Sequence, residues 1–285
     1  MVSFCDTANT LEGPRPRNDH ISQDSTAGVI DPPSGTTTEA RRAIVTGASS
    51  GIGRATAHAL AARGYAVWLT YANDERGGNE TLETCRPGAA EVRLSRLDLR
   101  SSEGVAAFWN EVAEQWGSLH TIVNNGAVCP YTPYDTIETD EWDSVMETNA
   151  RGTFLMIRSA LPMLRAAQGD RSIVNVSSVA GQIGAVTTGV HYAASKVAIL
   201  AITRSFARLL APERIRVNAV APGPIESATT SRLTSEARSG LERAVPLGSF
   251  GQPADVAPLI AVLASPESRF TTGATYDING GVRME

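Results

Sequence analysis

From residue 41 onward, short β-branched runs alternate with longer stretches whose apolar positions recur at helical spacing. The short runs are residues 43–46, 66–70, 91–94, 121–124, 172–176, 216–220 and 274–278, of which 172–176 (Ser-Ile-Val-Asn-Val) is typical. Residues 53–63, 102–116, 139–164 and 192–210 carry the helical period. The third of these helices is expected to start with Thr139 as N-cap. Asp140, Glu141 and Asp143 then fall in its first turn, where carboxylates favour the positive end of the helix dipole. Strands that alternate with helices build a parallel sheet. The expectation is therefore an α/β fold: a Rossmann-type, doubly wound, seven-stranded parallel sheet in a single domain over residues 41–285.

Before residue 40 the pattern stops. Gly13-Pro14-Arg15-Pro16-Arg17, Asp31-Pro32-Pro33-Ser34-Gly35 and Thr36-Thr37-Thr38 offer little apolar surface to offset the entropy of ordering. Residues 1–40 are read as a flexible N-terminal extension, with a docking arm for a partner or subunit as the alternative.

Composition narrows the choice of partner. The chain has 285 residues, 42% of them hydrophobic and 19% charged, enough for one core. A formal net charge of -5 does not favour nucleic acid or an anionic membrane, so a small-molecule substrate is expected. No apolar run approaches the ~20 residues that span a bilayer, and no apolar segment follows a basic start, which points to a cytoplasmic protein. The three cysteines, Cys5, Cys85 and Cys129, lie far apart, and the four histidines, His20, His58, His120 and His191, have no ligand spacing. Neither a metal site nor a disulfide framework is signalled.

Two patterns carry chemistry. Thr46-Gly47-Ala48-Ser49-Ser50-Gly51-Ile52-Gly53 sits between the first strand and a helix. Glycines there let the backbone approach a pyrophosphate, and the helix N-terminus supplies N–H donors, so this is read as a dinucleotide site. Farther on, Tyr192-Ala193-Ala194-Ser195-Lys196 puts a phenol and an ammonium four residues apart on one helix face. A nearby positive charge lowers the pKa of a phenol and lets it exchange a proton nearer neutrality. Ser177-Ser178, at the end of the fifth strand, offers a hydroxyl to a developing oxyanion.

As a set, the Thr-Gly-x-x-x-Gly-x-Gly turn, the Ser-Ser pair and the Tyr-x-x-x-Lys pair resemble the classical short-chain dehydrogenase/reductase family over about residues 42–284. The resemblance implies hydride transfer between the nicotinamide of NADP or NAD and a carbonyl or secondary alcohol. Tyr192 would then exchange the proton, and Ser178, with Ser177 as alternative, would position the oxygen. Lys196 would tune the tyrosine, and Asn149 would hold the proton relay. The cofactor would lie on Gly47, Ser49, Ser50, Gly51, Ile52 and Gly53, with Asp98 and Leu99 at the adenine. Asn125 and Gly126 belong to Asn124-Asn125-Gly126-Ala127, where the family has its last two residues in the opposite order. Pro222, Gly223, Ile225 and Ser227 would meet the nicotinamide amide, and residues 228–244 would form a substrate lid.

Tyr71 and Asn73 stand where an acid would select NAD, so the resemblance leans to NADP, with NAD as the alternative. Arg76 is a candidate for the 2′-phosphate, opposed by Asp74 and Glu75. The nearest general likeness is to 3-oxoacyl carrier-protein reductases, which implies a carbonyl or alcohol substrate that is in one version carrier-bound. Arg208, with Arg165 and Arg171, is the expected docking patch. A polyol or sugar dehydrogenase and a non-catalytic NADP sensor are the alternatives. Relatives assemble as homotetramers or homodimers through the helices matching 139–164 and 192–210, and His191 is expected at a solvated helix start.

Overall fold

The computed structural model describes residues 39–284 apart from 186, 228 and 229, so the expected N-terminal extension lies almost wholly outside the described residues. Seven strands form one sheet: β1 Arg42–Val45, β2 Ala66–Tyr71, β3 Glu91–Arg96, β4 Thr121–Asn124, β5 Arg171–Val176, β6 Ile215–Pro222 and β7 Thr275–Ile278. All pairings are parallel, in the order β3-β2-β1-β4-β5-β6-β7. The helices are α1 Gly51–Ala61, α2 Glu75–Cys85, α3 Ser102–Gln115, α4 Thr139–Met146, α5 Gly152–Ala166, α6 Ala180–Ile183, α7 Val190–Leu210, α8 Ser235–Ala244 and α9 Pro253–Leu263.

Side chains alternate across a strand, so each strand feeds two cores. Ile44, Trp68, Ile122, Ile173 and Val217 pack on one face with Phe108, Trp116 and Met156. Val45, Val67, Val123, Val174 and Val220 pack on the other with Leu60 and Ile260. Trp68 meets Phe108 and Trp116 edge-on at 5.9 and 5.1 Å, the geometry that aromatic quadrupoles favour. Under the N-terminal ends of the strands the carbonyl of Ala264 accepts hydrogen bonds from Tyr65, Thr121 and Ser172, which ties the end of α9 to the sheet.

Three expectations change. Residues 139–164 are not one helix: α4 and α5 are separated by a π-helical turn, Glu147–Arg151. The N-cap is Glu138 in extended backbone, whose side chain makes no capping bond, and not Thr139, which is already the first helical residue. Asp140 and Glu141 do sit in the first turn, whereas Asp143 lies beyond it. Finally, α2 was not foreseen, because Gly77-Gly78 and the polar run after them hide its period. It forms with Asp74 as cap, the carboxylate accepting from the Gly77 N–H at 2.9 Å.

The strand order reverses between β1 and β4, and in such sheets a crevice opens beyond the strands' C-terminal ends at that point. The Gly47 turn after β1 and Asn125 after β4 flank it. Among the described residues no helix is long and apolar enough to cross a membrane.

Candidate active site

A cleft of ≈ 680 Å³ runs along the C-terminal ends of the strands. Its first wall is the turn between β1 and α1. Gly47 has φ +63°, and a Cβ on it would lie 2.7 Å from Gly126 Cα. A Cβ on Gly53 would lie 2.2 Å from the Gly47 carbonyl oxygen and 2.5 Å from Asn125 Nδ2. Asn125 Nδ2 in turn donates to the carbonyls of Thr46 and Gly47 at 2.9 and 3.0 Å, while Thr46 Oγ1 accepts from the N–H groups of Asn125 and Gly126, both at 2.9 Å. The turn is thus locked to the end of β4. No side chain caps α1, whose N-cap Ser50 is extended, so its first N–H groups are not claimed by a capping side chain. The Gly-Ala order at 126 and 127 has a reason here: a Cβ at 126 would come within 3.0 Å of Leu99 and 3.3 Å of Thr46 Oγ1.

Of the residues expected around a dinucleotide, Gly47, Ser49, Ser50, Gly51, Ile52, Asn73, Asp98, Leu99, Asn125, Gly126, Pro222, Gly223, Ile225 and Ser227 line the cleft. Gly53 and Tyr71 do not. Gly53 acts from behind, by the close approach just described. Tyr71 alternates to the other side of β2, where its ring faces Gly78 and its hydroxyl bonds Glu75. Burial, followed by the Glu75 carboxylate, raises the pKa of this phenol. Arg76 also turns away, to a 3.0 Å ion pair with Glu80 on the outer surface of α2. Arg96 approaches this end, its Nε donating to the Ala72 carbonyl at 3.1 Å, and Arg100, paired with Asp98 at 2.7 Å, lines the cleft itself.

At the other end of the cleft the first turns of α7 present Tyr192 and Lys196. The two serines after β5 diverge. Ser177 is buried and donates to the Lys196 carbonyl at 2.9 Å, whereas Ser178 lines the cleft and bonds the Tyr192 hydroxyl. Lys196 is only 2% exposed; its ammonium donates to the Val176 carbonyl at 2.9 Å and lies 5.5 Å from the Tyr192 ring centre. Burial lowers its pKa to about 8. Burial likewise raises that of Tyr192, as does the neighbouring Cys129 thiol, while the Ser178 hydrogen bond pulls it down. The phenol therefore holds its proton firmly in this state, contrary to the lowering expected from Lys196.

Asn149 sits in the π turn, fully buried behind the cleft. Its amide brackets Val128, donating to the carbonyl and accepting from the N–H, both at 2.9 Å, and also donates to Ser195 Oγ at 3.0 Å. Ser195 completes the link by donating to the Tyr192 carbonyl at 2.7 Å. The extra residue of the π turn brings Asn149 inward while leaving α4 and α5 their own faces.

Residues 47–283 match the family described as Enoyl-(Acyl carrier protein) reductase, one of the short-chain dehydrogenases/reductases. The chain belongs to the short-chain dehydrogenase/reductase family. It is similar to the 3-oxoacyl-[acyl-carrier-protein] reductase of Staphylococcus aureus, at 38% identity over 86% of this chain and 98% of that one. The corresponding reductase of Vibrio cholerae is 35% identical over 86% and 98%. A cis-4-hydroxycyclohexanecarboxylate dehydrogenase of Sinomonas cyclohexanicum is 36% identical over 85% and 96%. As a member of this family the protein is a nicotinamide-dependent oxidoreductase acting on a C=O or CH–OH group.

In this short-chain dehydrogenase/reductase the wall opposite Ser178 is made by Val128, Cys129 and Tyr131, with Ile183, Leu241 and Ala244 above. Burial takes the Cys129 thiol to about 11 and the Tyr131 phenol to about 12, so this wall is uncharged at neutral pH. Tyr131 and Leu241 carried no recognisable motif; only their place in the fold identifies them. The expected lid contains α8, and Arg238 of that helix pairs with Glu226 beside Ser227. Among the described residues no cluster of His, Cys, Asp or Glu could hold a metal ion.

The three arginines expected as a docking patch lie away from this cleft. Arg171 opens β5, and Arg165 forms a double ion pair with Glu213 just before β6, at 2.6 and 2.8 Å. These are the N-terminal ends of the strands, across the sheet from the cleft. Arg208 lies in the last turn of α7, whose first turn holds Tyr192, so it too stands far from this chain's own cleft.

Proposed function

We propose that this short-chain dehydrogenase/reductase is an NADP-dependent reductase of a 3-oxoacyl thioester. The observation that carries the reading is Tyr192 bracketed by Ser178 and Lys196 at one end of a cleft whose other end is the Gly47 turn. The relatives named as 3-oxoacyl-[acyl-carrier-protein] reductases support the substrate class. So does the apolar, uncharged wall of Val128, Cys129, Tyr131 and Leu241, which suits an acyl chain better than a polyol.

The residues fit a dinucleotide. Glycines at 47 and 51 with positive φ leave room for a pyrophosphate, and the first N–H groups of α1 are free of side-chain caps to receive it. Asp98, Leu99 and Asn73 would hold the adenosine end. Preference for the 2′-phosphate rests on the absence of an acid at position 71 and on Arg96 nearby; Asp74 lines the cleft, but its carboxylate is engaged in capping α2. When bound, the cofactor supplies the hydride. The chain's own groups do the rest. Tyr192, which holds its proton in this state, donates it to the substrate oxygen. Ser178 orients that oxygen, Lys196 supplies positive charge beneath it, and Asn149 holds Val128 and Ser195 in place around the relay.

Subunit association is proposed on the outer faces of α5 and α7, where Phe154 and Val197 remain 38% and 49% exposed.

The test is oxidation of NADPH and of NADH by purified protein with a β-ketoacyl thioester, alongside Tyr192→Phe. Turnover with NADPH that the variant loses by ~10²-fold or more is the expected result. Oxidation of a polyol with no reduction of the thioester would overturn it, and so would cofactor binding without turnover on any carbonyl.

A further inference from the structure

A buried imidazole that the reaction does not use stands directly behind Tyr192. His191 is fully buried, not solvated as its place at a helix start suggested. Its Nε2 lies 3.0 Å from Glu141 Oε1 on α4, and a carboxylate can only accept, so Nε2 carries the hydrogen. The same carboxylate oxygen accepts from Thr132 Oγ1 at 2.6 Å. Trp142 stacks on the imidazole, with ring centres 6.2 Å apart and planes 20° apart. On the other side, Gly189 makes room: a Cβ there would lie 2.4 Å from Nδ1. Gly189 also donates its N–H to the Pro130 carbonyl at 3.0 Å.

These contacts join three pieces: the first turn of α7 with Tyr192, the acidic start of α4, and the segment that carries the cleft wall. That segment is pinned at one end by Asn149 on Val128 and at the other by Glu141 on Thr132. Cys129 and Tyr131 lie between the two pins and face the cleft. The Gly47 turn is held separately, by Asn125 and Thr46.

We infer that His191 is a positioning residue for substrate: through Glu141 and Thr132 it fixes the Cys129–Tyr131 wall over Tyr192, setting substrate affinity and not cofactor affinity. The inference rests on the proposed seat of the substrate carbonyl at Tyr192. His191→Leu removes the donor, and His191→Gln returns one near the Nε2 position. For the Leu variant KM for the thioester should rise about tenfold, with kcat changed by less than about threefold. NADPH affinity, measured by the cofactor's fluorescence, should stay within about twofold. The Gln variant should recover most of the loss.

A second readout needs no turnover. Alkylation of Cys129 by iodoacetamide, followed on its own peptide by mass spectrometry, should be several-fold faster in the Leu variant than in the parent or the Gln variant. If the parent itself fails to reduce the thioester, the proposed function falls, while this comparison still decides the role of His191. Should the Leu variant fail to fold, Thr132→Val cuts the same link from the wall side and should give the same pattern. Unchanged KM together with unchanged alkylation overturns the inference. So does an equal loss of substrate and cofactor affinity that the Gln variant does not repair.

Discussion

Lys196 and Val176 are joined by a 2.9 Å hydrogen bond from the ammonium to the backbone carbonyl at the end of β5. A buried cation with one fixed acceptor is held in place but poorly solvated, which is why its pKa falls from the ordinary lysine value of 10.5 to about 8. The site keeps its positive charge at neutral pH by folding around it at some cost.

That cost has a sign. Between about pH 8 and 10.5 the unfolded chain keeps the Lys196 proton while the folded chain has released it, so this residue makes stability rise with pH across the window. Urea unfolding of the wild type and of Lys196→Met at pH 7.5 and pH 10 measures it. The difference between the two proteins should shift with pH by on the order of 3 kcal/mol at most; parallel behaviour would contradict the assignment.

His120 makes the same kind of test, in an acid window, at the far end of the sheet. Its Nδ1 accepts from the Arg42 N–H at 3.1 Å, and burial, then Arg41 and Arg42, lower its pKa to about 4. Stability should therefore be lost as pH falls from about 6.5 toward 4, where the unfolded chain takes up a proton that the folded chain resists. His120→Gln should remove a part of this acid sensitivity on the order of 3 kcal/mol or less. Melting temperature against pH for the two proteins checks it.

Gly53→Ala should disable the turn, since its Cβ falls 2.2 Å from a backbone oxygen that has nowhere to go. Dinucleotide affinity should drop by about a hundredfold and stability by about 2 kcal/mol. Gly169→Ala is the control: φ is +80° but nothing lies within 4 Å, so it should cost about 1 kcal/mol with cofactor affinity unchanged. Equilibrium binding and thermal melts separate the two outcomes.

Asn149→Leu strands both polar groups of Val128 and loosens Ser195. A loss of about 3 kcal/mol in stability is expected, with kcat lowered at least tenfold and NADPH affinity largely kept. A variant with normal kcat would show that the π turn serves the fold alone.

Most of the sheet could be read from the sequence because a strand buried on both faces announces itself as a continuous β-branched run, as in Ser172–Val176. The π turn could not. One extra residue barely disturbs the apolar period on either side, so residues 139–164 read as one helix. Helix α2 was hidden for a different reason: its stability comes from the Asp74 cap and from glycines that let it pack closely, not from an apolar stripe.

The site divides in the same way. Helical spacing puts Tyr192 and Lys196 on one face, and the family resemblance singles that pair out. The choice between Ser177 and Ser178 needed the direction of each side chain after β5, which spacing does not give. Tyr71 falls outside the cleft by a single step of strand alternation, which its place in the sequence does not reveal. The burial of His191 was missed because its partners Glu141 and Trp142 lie 49 or more residues away in sequence.

The carbonyl of Ala264 has a meaning for how the chain reaches this state. It collects hydroxyls from Tyr65, Thr121 and Ser172, groups made long before α9 in the order of the chain. Parallel neighbours cannot meet through a tight hairpin, so each strand waits for its crossover, and such non-local contacts make refolding slow. Without α9 in place, those three hydroxyls would lose this shared acceptor. A helix near the end of the chain thus seals the first strands laid down.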